Sequence, residues 1–250
     1  SNAMEGESRK MSLKDKVKEV VLGYRASSDS YVKHLRKIGV EIGEDVVLFR
    51  PYNTTIDMQN PHLLTIGNHV MITGPVTILT HDYGWSVIKR KYGEILGNQK
   101  SVSIGDNVFL GWGCTILAGT TIGANTIIGA NSVCSGKIDE NSVYAGNPAK
   151  KIMTLEEYYL KRKTKQKQEA CAFVKDYYNR FHEFPSEDLL SEYFFLFTKK
   201  DDIELINKYK SKLILMGNYD KSVEALSEKP KFDGWKDFIE YCKQDLKERK

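Results

Sequence analysis

The 250-residue chain has little cysteine, little proline and almost no net charge: four cysteines, six prolines and a formal balance of +4. Each shortage removes a class of protein. Cys114, Cys134, Cys171 and Cys242 show neither metal-ligand spacing nor the framework of a disulfide-rich secreted domain, and read as reduced thiols in a cytoplasmic protein. The mild positive balance suits an anionic cofactor or work near a membrane and gives no argument for nucleic acid. No apolar run reaches the length of a transmembrane segment, and no signal-peptide pattern is present. Ser1-Asn2-Ala3 ahead of Met4 reads as an expression remnant and is left out of the fold reading. With 41% hydrophobic residues, the rest has an ordinary composition for one large or two modest domains.

What the chain does have is a beat of six. Ile104, Leu110, Ile116, Ile122 and Ile128 follow one another at six-residue spacing, Cys134 continues the phase, and glycine follows at Gly105, Gly111, Gly123 and Gly129. That period matches neither a helix at 3.6 nor an alternating strand at 2.0. It matches a chain coiling in short strands, each sending one branched side chain inward and turning at a small residue. The same beat runs through Ile42, Leu48, Ile66, Ile72 and Ile78, missing at Thr54 and Asn60. Asn68, Asp106, Asn107, Asn125 and Asn131 are expected at corners that need tight or positive-φ backbone. Cys114, flanked by Gly113 and Thr115, reads as a small core or corner residue.

Between Ile78 and Ile104 the phase slips by two residues, so an excursion over about 81–102 leaves the coil and returns. It carries Tyr83-Gly84-Trp85 and Lys89-Arg90-Lys91-Tyr92-Gly93. A long irregular loop on a rigid stack is a natural place for function. The flanks differ. Residues 4–37 are expected to hold a short helical cap, with Val17, Val20, Val21 and Tyr24 at helical spacing over Lys14 to Arg25. Residues 38–153 form the coil and 154–250 a helical domain. That domain is expected to open with a charged helix from Glu156 to Phe181. A second helix would be capped by Ser186 and carry Leu189, Leu190, Tyr193, Phe194, Leu196 and Phe197. Further helices are expected near Asp202 to Leu215 and Lys221 to Leu226, and a last one with Trp235, Phe238, Ile239, Cys242 and Leu246 on one stripe. The basic run Lys161 to Lys167 reads first as a solvated face and second as an acidic-glycan or lipid contact.

The coil, the displaced loop, the stretch Ile104-Gly105-Asp106-Asn107-Val108-Phe109 and the ending Tyr144-Ala145-Gly146-Asn147-Pro148-Ala149-Lys150 together resemble the hexapeptide-repeat acyltransferases. Within that superfamily the likeness is to the galactoside and maltose O-acetyltransferase branch and its polysaccharide-acetylating relatives, over about residues 42–151. The resemblance implies an all-β left-handed parallel β-helix, here with a short N-terminal helix and a C-terminal α-helical domain, an exception to the right-handed crossover rule. It also implies a homotrimer and acetyl-CoA as acyl donor, with no metal.

A sugar hydroxyl needs a base to take its proton as it attacks a thioester, and histidine titrates near working pH. Of the five histidines, His81 stands where the coil gives way to the excursion and matches the family's catalytic position. Its orienting partner is left open between Asp82 and a backbone carbonyl. Backbone amides near Gly111 and Trp112 are the family's oxyanion donors. The donor's binding positions map onto Trp112, Ala130, Ser135 and Lys150, with Lys151 beside the last. Gly136 and Met153 stand where basic residues are common in the family. Asn53, Asp82, Tyr83 and Trp85 are the acceptor candidates. The aromatics, with Tyr92, either stack on a pyranose or staple the loop to a neighbouring subunit.

The function these features imply is acetyl-CoA-dependent O-acetylation of a sugar hydroxyl in surface polysaccharide or glycan assembly, by direct transfer. A streptogramin-type acetyltransferase shares coil, histidine and donor. A γ-type carbonic anhydrase would need three interface histidines, whereas His69 and His81 are the only two on the coil proper besides His62, and no paired histidines follow late in the coil. A non-catalytic coil used as scaffold is the remaining alternative.

Overall fold

A computed structural model describes residues 20–248 of the chain, and their side chains as far as residue 244. The coil forms as the six-residue beat requires. Short strands stack into three parallel sheets, each contributing one rung to every turn of the coil. The first sheet orders Glu41–Ile42, Leu64–Ile66, Val102–Ile104, Thr121–Ile122 and Lys137–Ile138. The second runs from Val47–Leu48 through Met71–Ile72, Val108–Leu110, Thr126–Ile128 and Ser142–Ala145, and is closed by the antiparallel strand Lys150–Thr154. The third stacks Thr55–Ile56, Thr77–Ile78, Thr115–Ile116 and Val133–Cys134.

Register puts equivalent, mostly aliphatic side chains over one another. Ile66, Ile104, Ile122 and Ile138 form one inward column; Leu48, Ile72, Leu110, Ile128 and Tyr144 a second; Ile56, Ile78, Ile116 and Cys134 a third. These columns are almost wholly removed from water, and burying each aliphatic chain stabilises the stack by about 1.5–3 kcal/mol. The third column corrects the expected phase. Its lowest rung is Ile56, not Thr54, because a turn at Pro51–Asn53 inserts residues before the strand. A second turn at Pro61–Leu63 delays the next rung to Ile66.

One corner column consists of Asp45, His69, Asn107, Asn125 and Asn141, all with φ between 51° and 55°. Asn107 and Asn125 each donate a side-chain amide hydrogen to the next asparagine, at 2.8 and 3.1 Å. Asn131 turns another corner at φ 55°, whereas Asn68 and Asp106 are not left-handed. Their side-chain oxygens instead accept the amides of Glu44 and Asn68 from the coil below.

The lower end of the stack is covered by the helix Ser28–Ile38, which buries Tyr31, Val32 and Leu35 and starts at a capping box between Ser27 and Ser30. This differs from the expected cap: Val20 and Val21 are exposed, and Val17 lies outside the described residues. The excursion is not irregular. His81–Asp82 pairs with Asn98–Gln99 as a two-stranded base, the helix Trp85–Tyr92 stands between them, and Val102 is already back in the first sheet.

The chain divides after Leu155 into two compact units. The helix Leu155–Phe181 belongs to the second from its second residue onward, and the core of that unit gathers Ala170, Val174, Leu190, Phe194, Phe197, Phe238 and Cys242. Two expectations fail here. The segment after Ser186 forms two 3-10 turns, Glu187–Leu190 and Phe194–Leu196, because its aromatics are buried from several sides and not along one helical stripe. The stretch after Asp202 breaks at Tyr209 into Ile203–Lys208 and Lys210–Ile214, and Tyr219–Glu224 follows. The last helix, Trp235–Glu248, buries Phe238, Ile239 and Cys242, while the Leu246 side chain lies outside the described set.

The close stacking of coils sets a test. A Cβ at Gly111 would lie 2.6 Å from the Ile128 carbonyl oxygen and 2.8 Å from the Ala130 nitrogen, both backbone, whereas one at Gly97 meets nothing within 4 Å. Gly111→Ala is expected to destabilise the protein by about 1–3 kcal/mol and Gly97→Ala to stay within about 0.5 kcal/mol, read from urea unfolding midpoints.

Candidate active site

His81 follows the inward Ile78 at the edge where the third sheet opens into the excursion. Its ring is held from below. Asp57 immediately follows Ile56, the rung under Ile78, so stacking alone brings the carboxylate beneath Thr80 and His81. One Asp57 oxygen, Oδ1, accepts the Gln59 amide at 2.9 Å. The other, Oδ2, accepts the Thr80 amide at 2.9 Å and the Thr80 hydroxyl at 2.7 Å, and meets His81 Nδ1 in a short hydrogen bond. Burial of Asp57 opposes its ionisation. The hydrogen bonds from Thr80, Gln59 and His81 more than offset that burial and hold the carboxyl below its ordinary value of 3.8.

An ionised carboxylate only accepts, so the Nδ1 it meets carries the proton. Nε2 is therefore the basic nitrogen of the neutral ring. This corrects the expected orienting partner. Asp82 is exposed, and its carboxylate takes the Gly84 amide at 2.8 Å and the Asn98 side-chain amide, bracing the base of the excursion. Asp57 escaped the sequence reading because the missed phase at Thr54 hid the pairing of Ile56 with Ile78. Placing Ile56 on the third column would have found it.

The excursion's aromatics form a chain leading away from the base. The His81 ring meets Tyr83 edge-on at 5.1 Å and Tyr83 meets Trp85 at 5.9 Å. The Tyr83 hydroxyl donates to Gln59 Oε1 at 2.9 Å, tying this wall to the Asp57 turn. Asn53 is exposed in the Pro51–Asn53 turn, at the opposite edge of the third sheet from His81.

The remaining predicted residues divide between two edges of the coil. Trp112 and Ala130 occupy equivalent corners just before the third-sheet strands Thr115–Ile116 and Val133–Cys134, and the Asn131 amide donates to the Trp112 carbonyl at 2.7 Å. Trp112 is 45% exposed, enough for a large apolar face to meet a ligand. Ser135 follows Cys134 at the other edge, the one His81 occupies. Lys150 lies opposite Ala145 in the closing strand, and Lys151 pairs with Asp139 at 3.3 Å. One chain therefore does not bring His81 to Trp112 and Ala130, because parallel strands put residues that precede and follow them at opposite ends.

Other expectations resolve simply. The Gly111 amide donates to the Ile128 carbonyl at 2.9 Å within the coil ladder, which removes it as an oxyanion donor. Gly136 has φ 68°, a left-handed backbone that favours glycine. Cys114 is buried with its thiol on the Gly129 carbonyl, and burial pushes its pKa up. His69 is a left-handed corner residue 3.1 Å from Asp45. Among the described residues no three His, Cys, Asp or Glu side chains converge as a metal site. In the second unit the basic run is partly neutralised on its own helix, since Arg162 forms a double hydrogen bond with Glu169 and Lys163 leans on Tyr159.

Comparison with protein families finds the same six-residue repeat. The family model described as bacterial transferase hexapeptide (six repeats) matches residues 101–136. Protein CapG of Staphylococcus aureus is 45% identical over 127 residues, covering 51% of this chain and 73% of that protein. A galactoside acetyltransferase in complex with coenzyme A is similar at a TM-score of 0.41 and 23% identity, over 58% of this chain and 84% of that one. A maltose O-acetyltransferase from Clostridium difficile 630 is similar at 0.38 and 24%, over 56% and 84%. With the identity to Protein CapG extending over nearly three quarters of that protein, and the coil built as the repeat demands, this chain belongs to the hexapeptide-repeat acyltransferase superfamily.

Proposed function

We propose that the protein transfers an acetyl group from acetyl-coenzyme A to a sugar hydroxyl, in the assembly of a surface polysaccharide or other glycan. The observation that carries this reading is the His81–Asp57 pair at the break in the coil. It supplies a base with a fixed tautomer beside an aromatic wall. Acetyl-coenzyme A supplies the activated acyl group. His81 Nε2 takes the proton of the attacking hydroxyl, and Asp57 stabilises the imidazolium that forms. No nucleophilic serine or cysteine has an activating partner in this arrangement, which favours direct transfer: the Cys114 thiol is buried and held protonated.

The residues present fit the donor. Trp112 and Ala130 form a continuous corner along which a pantetheine arm can lie, with main-chain groups at hand. Lys150 and Lys151, exposed at the closing strand, suit its phosphates. With Gly111 engaged in the ladder, the oxyanion donor falls to the Trp112 amide. Since His81 and this corner occupy opposite edges, a second copy must supply one of them. A left-handed coil in a homotrimer, each site formed between neighbours, meets that need and follows the superfamily resemblance. Work in a reducing cytoplasm suits the thiols of Cys114 and Cys134 buried in the coil core. Asn53, Tyr83 and Trp85 contribute to the acceptor side and Ser135 to the donor side, while Asp82 serves the acceptor through the loop base.

Three outcomes test the reading. His81→Ala should lower kcat for coenzyme A release by about a hundred- to ten-thousand-fold with little change in KM, and Asp57→Asn should lower it by roughly a hundredfold or more. Full activity in His81→Ala would end the proposal. Asp57 also bears on stability. Its folded-state value is depressed, so its contribution is complete above the ordinary value of 3.8 and is lost as pH falls through the lower folded-state value. Thermal unfolding of the native chain should therefore weaken more steeply below about pH 4 than that of Asp57→Asn. Finally, light scattering should give three times the mass of one chain, and a monomer that still transfers acetyl groups would contradict the shared site.

A further inference from the structure

Arg50 stands just after the strand Val47–Leu48, at the corner that Gly74 occupies one coil up and Trp112 the next. Its backbone is fixed: the Arg50 carbonyl accepts the amides of Asn53 and Thr54, each at 3.1 Å, and the Thr54 hydroxyl at 3.0 Å. Gly74 offers no side chain, with φ 58°, and a Cβ there would lie 2.7 Å from Thr54 Oγ1 and 3.2 Å from Arg50 Cβ. Across that gap the Arg50 guanidinium lies over the Trp112 ring, 4.7 Å from its centroid. The side chain is exposed. A guanidinium has five N–H donors in a fixed fork, and one held against a ring can still grip a carboxylate or phosphate through two parallel bonds.

The order of the second sheet says what kind of molecule that edge would meet. The strand bearing Lys150 and Lys151 closes one end, and the strand leading to Arg50 forms the other, with six strands in all. Five strand spacings separate them, roughly 24 Å. A donor lying along the corner with its phosphates at the lysines passes Ala130, then Trp112, and reaches its uncharged thioester end before Arg50. The strand Thr77–Ile78, which leads to His81, lies between the rung of Thr55–Ile56 and that of Thr115–Ile116. In copies arranged around an axis along the coils, a neighbour's His81 therefore arrives at the height of Gly74, with Trp112 on the donor side and Arg50 on the other.

We infer that Arg50 is a specificity-determining residue that binds a negative charge on the acceptor, so that the acceptor is an anionic sugar, its charge a carboxylate or a phosphate. This rests on the acyl-transfer reading for the position of the donor. Trp112 then has two roles: one part of it lines the donor path, and the indole face holds Arg50 in place.

The test is an NMR titration of the full chain, with and without coenzyme A, using D-galacturonate, galactose 1-phosphate and D-galactose as probes. One of the two anions should bind about tenfold or more tightly than galactose, the increment expected of a charge-assisted hydrogen-bonded pair. Arg50→Gln should remove that preference and leave galactose affinity unchanged, and Arg50→Lys should restore part of it. Which anion wins separates a uronate from a phosphorylated sugar. Equal binding of all three sugars, a preference that survives Arg50→Gln, or no binding of either anion overturns the inference. Coenzyme A binding is read in the same samples, so failure of the acyl-transfer reading shows as absent coenzyme binding, independently of the sugar preference.

Discussion

Everything in the first unit depends on stacking like upon like. A single six-residue rung cannot bury its aliphatic side chain; only the rung above and the rung below can. The three inward columns, ending in Ile138, Tyr144 and Cys134, therefore hold the coil together and also set the height of every corner residue to within one strand spacing. Because glycine backbones approach the next coil so closely, rungs have little freedom to slide. The candidate site is placed on this ruler. Asp57 reaches His81 because Ile56 sits under Ile78, and Arg50 reaches Trp112 because Gly74 lets it pass.

The same rigidity explains why the candidate base sits where the stack is interrupted. A regular rung has its amides and carbonyls engaged with neighbouring coils, as Gly111 does with Ile128. The excursion frees side chains from that ladder. Its base is a two-residue pair of strands, braced by Asp82, so the loop is anchored firmly at His81 while the helix Trp85–Tyr92 stands out with Val87 and Tyr92 exposed. A buried carboxylate below and an aromatic wall beside it give the histidine a fixed ring and a defined proton. A loop histidine without Asp57 would have neither.

Much of this was legible from the residues. The period of six named the coil, the phase slip located the loop, and the loop's first residue was the base candidate. What the reading missed had a common cause. The turns at Pro51–Asn53 and Pro61–Leu63 add residues without breaking the column, and a strict count of six loses Ile56 there. With Ile56 lost, Asp57 had no coil partner, and the orienting group was left open between Asp82 and a backbone carbonyl. The helical unit failed differently. Leu189 to Phe197 has enough apolar residues for a helix, but its aromatics are buried from several directions at once, and two 3-10 turns satisfy that better than one stripe.

Local repetition determined the architecture of the coil, because each rung's preference is written in its own six residues and is reinforced by identical neighbours. Tertiary structure decided which distant residues share a height. Asp57 with His81, Arg50 with Trp112, and the separation of His81 from Ala130 across one sheet follow from how coils with inserted turns come into register. That register is set by closing the aliphatic columns, a condition on the whole stack that no single window of sequence contains.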